Sequence, residues 1–405
     1  MNLSISFPSF QSKEFQKYTA GNFFAMNGLW INRVIIGWLG WELTNLASWV
    51  GFLSFLLFAP TIFAGPIFGV IVDRIDIKKF AIYTQSIISA TVLFLWVLYF
   101  FNLLNIINLC IIALVIGIFT SADRITRHTL VPRIIEKKNL VNALAIHGIN
   151  FNTARLLGPA FAGILIQFTS FSFTIFINFL CLLAMPIALI TIKVAEKVSE
   201  EKERKNILSE FFDGAKFAIS HSIILEACAI TALYSLFARG AIEILPAIAG
   251  GIFSVGPEGL GHMMATAGAG ALVAAIFIAM RRSKNQERGI PFRVYFSSFL
   301  GLLAVIILGI SSNWYVALFA IFIMGFCMTI NGIDLQAVVQ LELNDTYRGR
   351  VMSLWILLVI GLAAISSILM GAFGDILGIE NTLISFSIFG IISLITLLLT
   401  IKKKY

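Results

Sequence analysis

A chain of 405 residues that is 59% hydrophobic and only 12% charged cannot hide its apolar side chains in a water-soluble core, since soluble domains run nearer to roughly 45–50% apolar and 25% charged. Its mean hydropathy of +0.94 makes lipid the solvent for most of the chain. The net charge of +8 is accounted for by basic loops facing anionic lipid, so no nucleic-acid partner is expected.

In chain order, residues 1–17 form a polar N-terminal segment with no secretory signal pattern. Phe7, Phe10 and Phe15, mixed there with Lys13 and Lys17, suit a short helix lying on the membrane surface. Apolar stretches long enough to cross a hydrocarbon core of ~30 Å follow near 18–43, 47–72, 80–101, 106–127, 140–168 and 173–193. The run from Lys193 to Lys205 then carries nine charged residues, and Ile207–Ser220 repeats its apolar positions at helical spacing, as an interfacial amphipathic helix does. Six more apolar stretches fall near 222–248, 259–280, 290–311, 314–340, 350–377 and 382–401.

The predicted fold class is therefore an all-α membrane protein of twelve transmembrane helices in two six-helix halves. The bundles cover 18–193 and 222–401, with a linker over 194–221 and a basic tail over 402–405. Positive charge orients it. With both termini on one side, the segments on that side hold all of the 29 basic residues except Arg33, Arg155 and Arg239, which lie within spans. This asymmetry predicts cytoplasmic termini. Cys110, Cys181, Cys228 and Cys327 lie in apolar stretches without CxxC spacing or nearby histidine, so neither a disulfide framework nor a metal site is expected.

The halves also resemble each other. Gly117 and Gly325 sit late in the fourth span of each half, 208 positions apart, and each leads through a polar stretch into a fifth span. Transporters use duplicated halves to build a midplane site that opens to either side.

The sharpest local signal is Gly65-Pro-Ile-Phe-Gly69-Val-Ile-Val-Asp73-Arg74-Ile-Asp76-Ile-Lys78-Lys79, at the end of the second span. Gly65 and Gly69 allow a close helix approach. Asp73 is expected in a tight turn, where a carboxylate can cap a neighbouring helix. Arg74 is expected to pair with Asp123 at the inner end of the fourth span. This loop resembles the signature loop of the major facilitator superfamily, with Asp76 where glycine is usual and Ile77 where a basic residue is usual. The resemblance implies a gating latch involving Gly69, Asp73 and Arg74.

A longer likeness runs through Arg127-His-Thr-Leu-Val-Pro132, Leu140-Val-Asn142-Ala143-Leu144, Asn152, Arg155, Gly158-Pro159 and Tyr347-Arg348-Gly349-Arg350-Val351-Met352-Ser353-Leu354. It is similar to the branch containing enterobactin exporters and macrolide-efflux proteins. The fifth span, with Ala145, Ala154, Gly158, Pro159, Ala162 and Gly163, is similar to the antiporter motif of efflux members with alanine at three of its glycines. Ordinary close packing of small residues accounts for it nearly as well.

Charges inside a bilayer cost roughly 2.5–3.5 kcal/mol or more at mid-depth and mark functional sites. Arg33 lies in the first span near Asn27, Trp30 and Asn32, and Arg155 in the fifth. Arg239 and Glu243 are spaced i, i+4 in the seventh, and Asp334 lies in the tenth near Gln336. The resemblance implies that spans one, four, seven and ten line a central cavity. Arg33, Trp30, Asn27, Arg239, Glu243, Asp334 and Gln336 are thus the candidate cargo contacts, with Glu243 or Asp334 as proton carrier. Gly69, Asp73, Arg74, Asp123, Arg155, Gly158 and Pro159 are the candidate gating residues. The alternative for Arg239 and Glu243 is a mutually satisfied pair on one helix face.

Arginine presents a planar fork to carboxylate or phosphate, which favours an anionic cargo. No phosphate-binding loop or catalytic dyad stands out, so no enzyme activity and no cofactor are expected. The expected function is proton-coupled export of a siderophore-like or drug-like molecule by a monomer in the bacterial inner membrane. Import of a ferric siderophore or another organic anion is the alternative, and a lipid-handling enzyme or passive channel ranks lower.

Overall fold

Side-chain caps decide where the apolar stretches begin as helices. Ser12 Oγ accepts the Phe15 N–H, Asn105 Oδ1 that of Asn108, Ser170 Oγ that of Phe173, and Asn313 Oδ1 those of Tyr315 and Val316. The structure is a computed structural model that describes residues 8–194, 207–280 and 289–402. Within these, the side chains of 63–67, 69–74, 128, 137, 207–211, 345, 346, 401 and 402 are not described.

The first six long helices are α1 (Lys13–Thr44), α2 (Ala47–Arg74), α3 (Ile77–Phe100), α4 (Ile106–Ile134), α5 (Leu140–Phe168) and α6 (Phe171–Thr191). A helix over Ile207–Ser220, α7, precedes the second set. That set is α8 (Ser222–Glu243), α9 (Pro257–Met280), α10 (Phe292–Ile310), α11 (Trp314–Glu342), α12 (Tyr347–Leu377) and α13 (Ile379–Lys402). No strand occurs among the described residues. Nine helices there are long and apolar enough to cross a membrane: α3, α4, α6 and α8 to α13. Helices α1, α2 and α5 have 32, 28 and 29 residues, which at about 1.5 Å per residue also exceeds a bilayer core.

Three expectations change. Phe15 does not lie on a surface helix, because α1 already starts at Lys13 and buries Phe15 with Tyr18, Leu130 and Leu189. Asp73 is not in a turn, because α2 runs on through Arg74; the cap of α3 is Asp76, whose Oδ1 accepts the N–H groups of Lys78 and Lys79. The aspartate that replaces the usual glycine therefore starts the next helix. The seventh span ends at Glu243 rather than at 248, since Ile244 leaves helical geometry ahead of Pro246.

Helices α1–α6 pack mainly on one another, as do α8–α13, and two helix pairs join the groups: α5 with α9 and α2 with α12. Both pairs meet near the end of the bundle that carries the 44–47 turn, the distal end. There Asp375 of α12 caps α2, its Oδ1 2.7 Å from the Ala47 nitrogen and its Oδ2 3.1 Å from that of Ser48, and Ser367 Oγ donates to Gly51 O at 3.0 Å. Small residues permit this approach: a Cβ on Gly261 would stand 2.7 Å from Gly163 Cα, and one on Gly268 would stand 2.6 Å from Arg155 O.

Toward the opposite end the packing of the described residues stays mainly within each group: the start of α12, up to Ile356, packs on α7. The groups are thus closed at the distal end and parted where the described chain begins and ends. At that parted end Glu14 accepts the Lys193 N–H at 2.7 Å. This bond ties the start of α1 to the chain leaving α6 and holds the Glu14 carboxyl below its ordinary pKa.

Candidate functional site

Between the two groups, on the parted side of the closed end, the intramembrane charges converge. Arg33 projects from α1 with its guanidinium carbon 4.7 Å from the Trp30 ring centre and 4.6 Å from that of Phe58 on α2, a cation–π clamp. Its Nη2 lies 3.4 Å from both carboxylate oxygens of Glu243, on α8 of the other group. Ser54 Oγ donates to the Glu243 carbonyl at 3.2 Å. Arg33, Gly37, Ser54, Glu243, Pro246 and Met264 line a recess with room for about one water molecule.

Arg155 reaches the same neighbourhood from α5. Its guanidinium carbon is 5.9 Å from the centre of the same Trp30 ring, and its Nη1 donates to Thr329 Oγ1 of α11 at 3.5 Å. Arg239 comes from a π-helical turn, Ser235–Arg239, inside α8. Such turns are rare and gather at functional sites, because the extra residue shifts the helix register. Glu243 is near enough to Arg239 to act on its charge but is paired with Arg33. Among the described residues Arg239 has no ion-pair partner.

Arg33, Arg155 and Arg239 thus stand against the one carboxylate of Glu243, while Arg124 of α4 is within electrostatic reach of both Arg33 and the Asp123 carboxylate. This excess of positive charge, focused in a low-dielectric setting, attracts anions.

The remaining candidates lie elsewhere. Trp30 forms the wall shared by Arg33 and Arg155, while Asn27 turns its Nδ2 back to Phe23 O of its own helix at 2.8 Å. Asp334 is not in the cluster: it is buried and held by Arg293, with Nε 2.5 Å and Nη2 2.8 Å from its oxygens. Gln336 is exposed on the same helix. Gly158 lets α5 pass against Trp30 Cβ and the Asn27 carbonyl, and the Pro159 carbonyl faces Gly261. The small-residue stretch of α5 thus packs directly on α9. The side chains of Gly69, Asp73 and Arg74 lie outside the described residues.

Asp123 accepts Arg127 Nε at 2.6 Å, and Arg127 also donates to Asn22; the expected pairing of Asp123 with Arg74 lies outside the described residues. Asp123 and Arg127 are both 3% exposed at the side chain. Removing one member of such a pair leaves an uncompensated buried charge, costing about 3–5 kcal/mol. Asp123→Met is accordingly expected to lower the thermal unfolding midpoint of the detergent-solubilised protein clearly, and an unchanged midpoint would show the pair to be dispensable. Among the described residues no group of three or more His, Cys, Asp or Glu side chains is placed to hold a metal ion.

Sequence and structure comparisons agree with this architecture. Residues 4–404 match the family described as transmembrane secretion effector, a major facilitator family. The staphyloferrin A transporter of Staphylococcus aureus is 25% identical over 392 residues, covering 92% of each chain. A bacterial homologue of the human lysosomal transporter Spinster, solved in an inward-facing and unoccupied conformation, superposes with a TM-score of 0.71 at 12% identity over 96% of this chain and 97% of that one. A peptide transporter of the POT type does so with a TM-score of 0.76 at 11% identity over 97% and 95%. At these identities the two structures speak for the fold alone.

Proposed function

Since the chain belongs to the transmembrane secretion effector family of major facilitator transporters, we propose that it exports a siderophore-like organic anion from a bacterial cytoplasm by alternating access, driven by inward proton flow. In this reading all twelve long helices span the inner membrane, and the basic loops hold both termini in the cytoplasm. The parted end is then cytoplasmic, so the conformation described above is inward-open. The observation that carries the proposal is the arginine cluster with its single carboxylate, built from both helix groups at their junction.

Each part of the cluster has a role in the cycle. Arg33, Arg155 and Arg239 offer guanidinium forks to cargo carboxylates, and Trp30 and Phe58 supply apolar wall. Glu243 occupies Arg33 while the site is empty. Protonation of Glu243 from the outside frees Arg33, and loss of that proton to the cytoplasm restores the bridge. Asp334, held by Arg293, is not assigned this role. The name of the S. aureus relative supports a siderophore as cargo.

The test uses everted membrane vesicles containing the protein and staphyloferrin A as probe. Accumulation is expected when the vesicle interior is acidified and is expected to vanish when a protonophore collapses the gradient. Accumulation that ignores the gradient would remove proton coupling from the proposal. Uptake only by right-side-out vesicles would reverse the direction and make the protein an importer.

A further inference from the structure

A second recess lies wholly within the α8–α13 group. It is lined by Thr231, Tyr234 and Arg239 of α8, Asn331 of α11 and Trp355 of α12. Arg239 has no ion-pair partner among the described residues. Asn331 is only 4% exposed. Its Oδ1 accepts Ser298 Oγ at 3.0 Å and lies 3.1 Å from Ser297 Oγ, whose single proton is shared with Val294 O, while its Nδ2 has no hydrogen-bond partner. A buried amide nitrogen without a partner loses the hydrogen bond that water would have supplied, so this pattern points to an acceptor that arrives with a ligand. Thr231 donates its only hydroxyl proton to Ala227 O at 2.8 Å and adds no donor.

Two free donors converge here, one a planar cation and the other a neutral amide. Carboxylate oxygens satisfy both, one arginine fork taking two oxygen lone pairs and the amide a third. Tyr234 and Trp355 supply flat apolar walls that suit the carbon skeleton carrying that group. The recess by Arg33 is different in kind, because its cation is already bridged to Glu243 and its walls come from both helix groups.

We propose that this recess is the docking subsite for one carboxylate of the cargo, bound by Arg239 and Asn331 Nδ2 and filled while Arg33 is still held by Glu243. The inference rests on the anion-transport reading above and adds the order of events: a polycarboxylate docks first on the α8–α13 group, then competes with Glu243 for Arg33. Cargo with one carboxylate engages this subsite and leaves the bridge intact.

The full chain in lipid nanodiscs, titrated with glutarate as a dicarboxylate probe and followed by intrinsic tryptophan fluorescence, tests this. The wild type is expected to give a saturable change that is largely lost in Trp355→Phe. Arg239→Gln is expected to raise the glutarate Kd at least tenfold and Asn331→Leu at least threefold, whereas Arg239→Lys, which keeps the charge and reports on folding, falls between. A wild-type Kd in Arg239→Gln, a change that persists in Trp355→Phe, or no saturable change in the wild type each overturns the subsite. Staphyloferrin A accumulation in everted vesicles separates the two readings: if it survives in the wild type, the transport proposal stands even when the subsite falls.

Discussion

Glu243→Gln is expected to leave cargo exchange running while abolishing uphill accumulation driven by a proton gradient. Its carboxylate bridges the two helix groups by holding Arg33 at 3.4 Å. Unit charges about 4 Å apart in an effective dielectric of about 20 attract by about 4 kcal/mol, which corresponds to almost three decades in an equilibrium. Desolvation offsets part of this, so the charge state of one carboxylate is expected to shift the population of the bridged state by at least tenfold. Glutamine is permanently neutral and cannot alternate. Counterflow between cargo-loaded and cargo-free compartments needs no net proton movement and is expected to persist at near the wild-type rate. Gradient-driven accumulation by Glu243→Gln at wild-type levels would exclude Glu243 as the coupling group. Arg33→Gln separates binding from coupling: it is expected to weaken cargo binding as well, because it removes the cation that the carboxylate releases.

Much of this arrangement is legible in the sequence because a bilayer makes intramembrane charge conspicuous. Arg33, Arg155, Arg239 and Glu243 stand out as charges in oil, and the structure gathers these four at the junction of the groups. What the sequence hides is pairing. Arg239 and Glu243 sit at the spacing of a helical ion pair, yet Glu243 turns to Arg33, 210 positions away, and a π turn ends on Arg239. Asp334 carries the same signal as Glu243 but is neutralised by Arg293, whose place at the first turn of α10 becomes informative only when α10 packs on α11. Arg124 escaped notice because it adjoins the cytoplasmic end of a predicted span, where the charge pattern already explains an arginine. Asn331 carries no signal at all: an asparagine in an apolar helix becomes notable only once its nitrogen is found without a partner. Turn chemistry misled in one place, where Asp76 rather than Asp73 caps the third helix.

A bulky residue at Gly268 is expected to arrest transport at least a hundredfold while cargo binding survives. The closed distal end depends on α9 lying directly on α5, with Gly268 against the Arg155 carbonyl and Gly261 against Gly163. Both neighbours at Gly268 are backbone atoms, which cannot swing aside as a side-chain tip would. Gly268→Leu therefore forces the two helices apart by a few ångströms, and packed helix interfaces do not yield gradually. The wedge penalises the inward-open state and drives the protein toward one in which the distal end is open. The Asp375 cap on α2, worth about 1 kcal/mol, is too weak to hold that end closed against such a clash. In a background lacking the four native cysteines, Met264→Cys reports the shift, since Met264 lines the recess beside Arg33 and Glu243. A membrane-impermeant maleimide applied from outside the cell is expected to label this cysteine slowly in the background protein and rapidly when Gly268→Leu is added. Equal labelling rates would mean that the α5–α9 contact does not close the path, and transport by Gly268→Leu at the background rate would show that these helices need not approach so closely during the cycle.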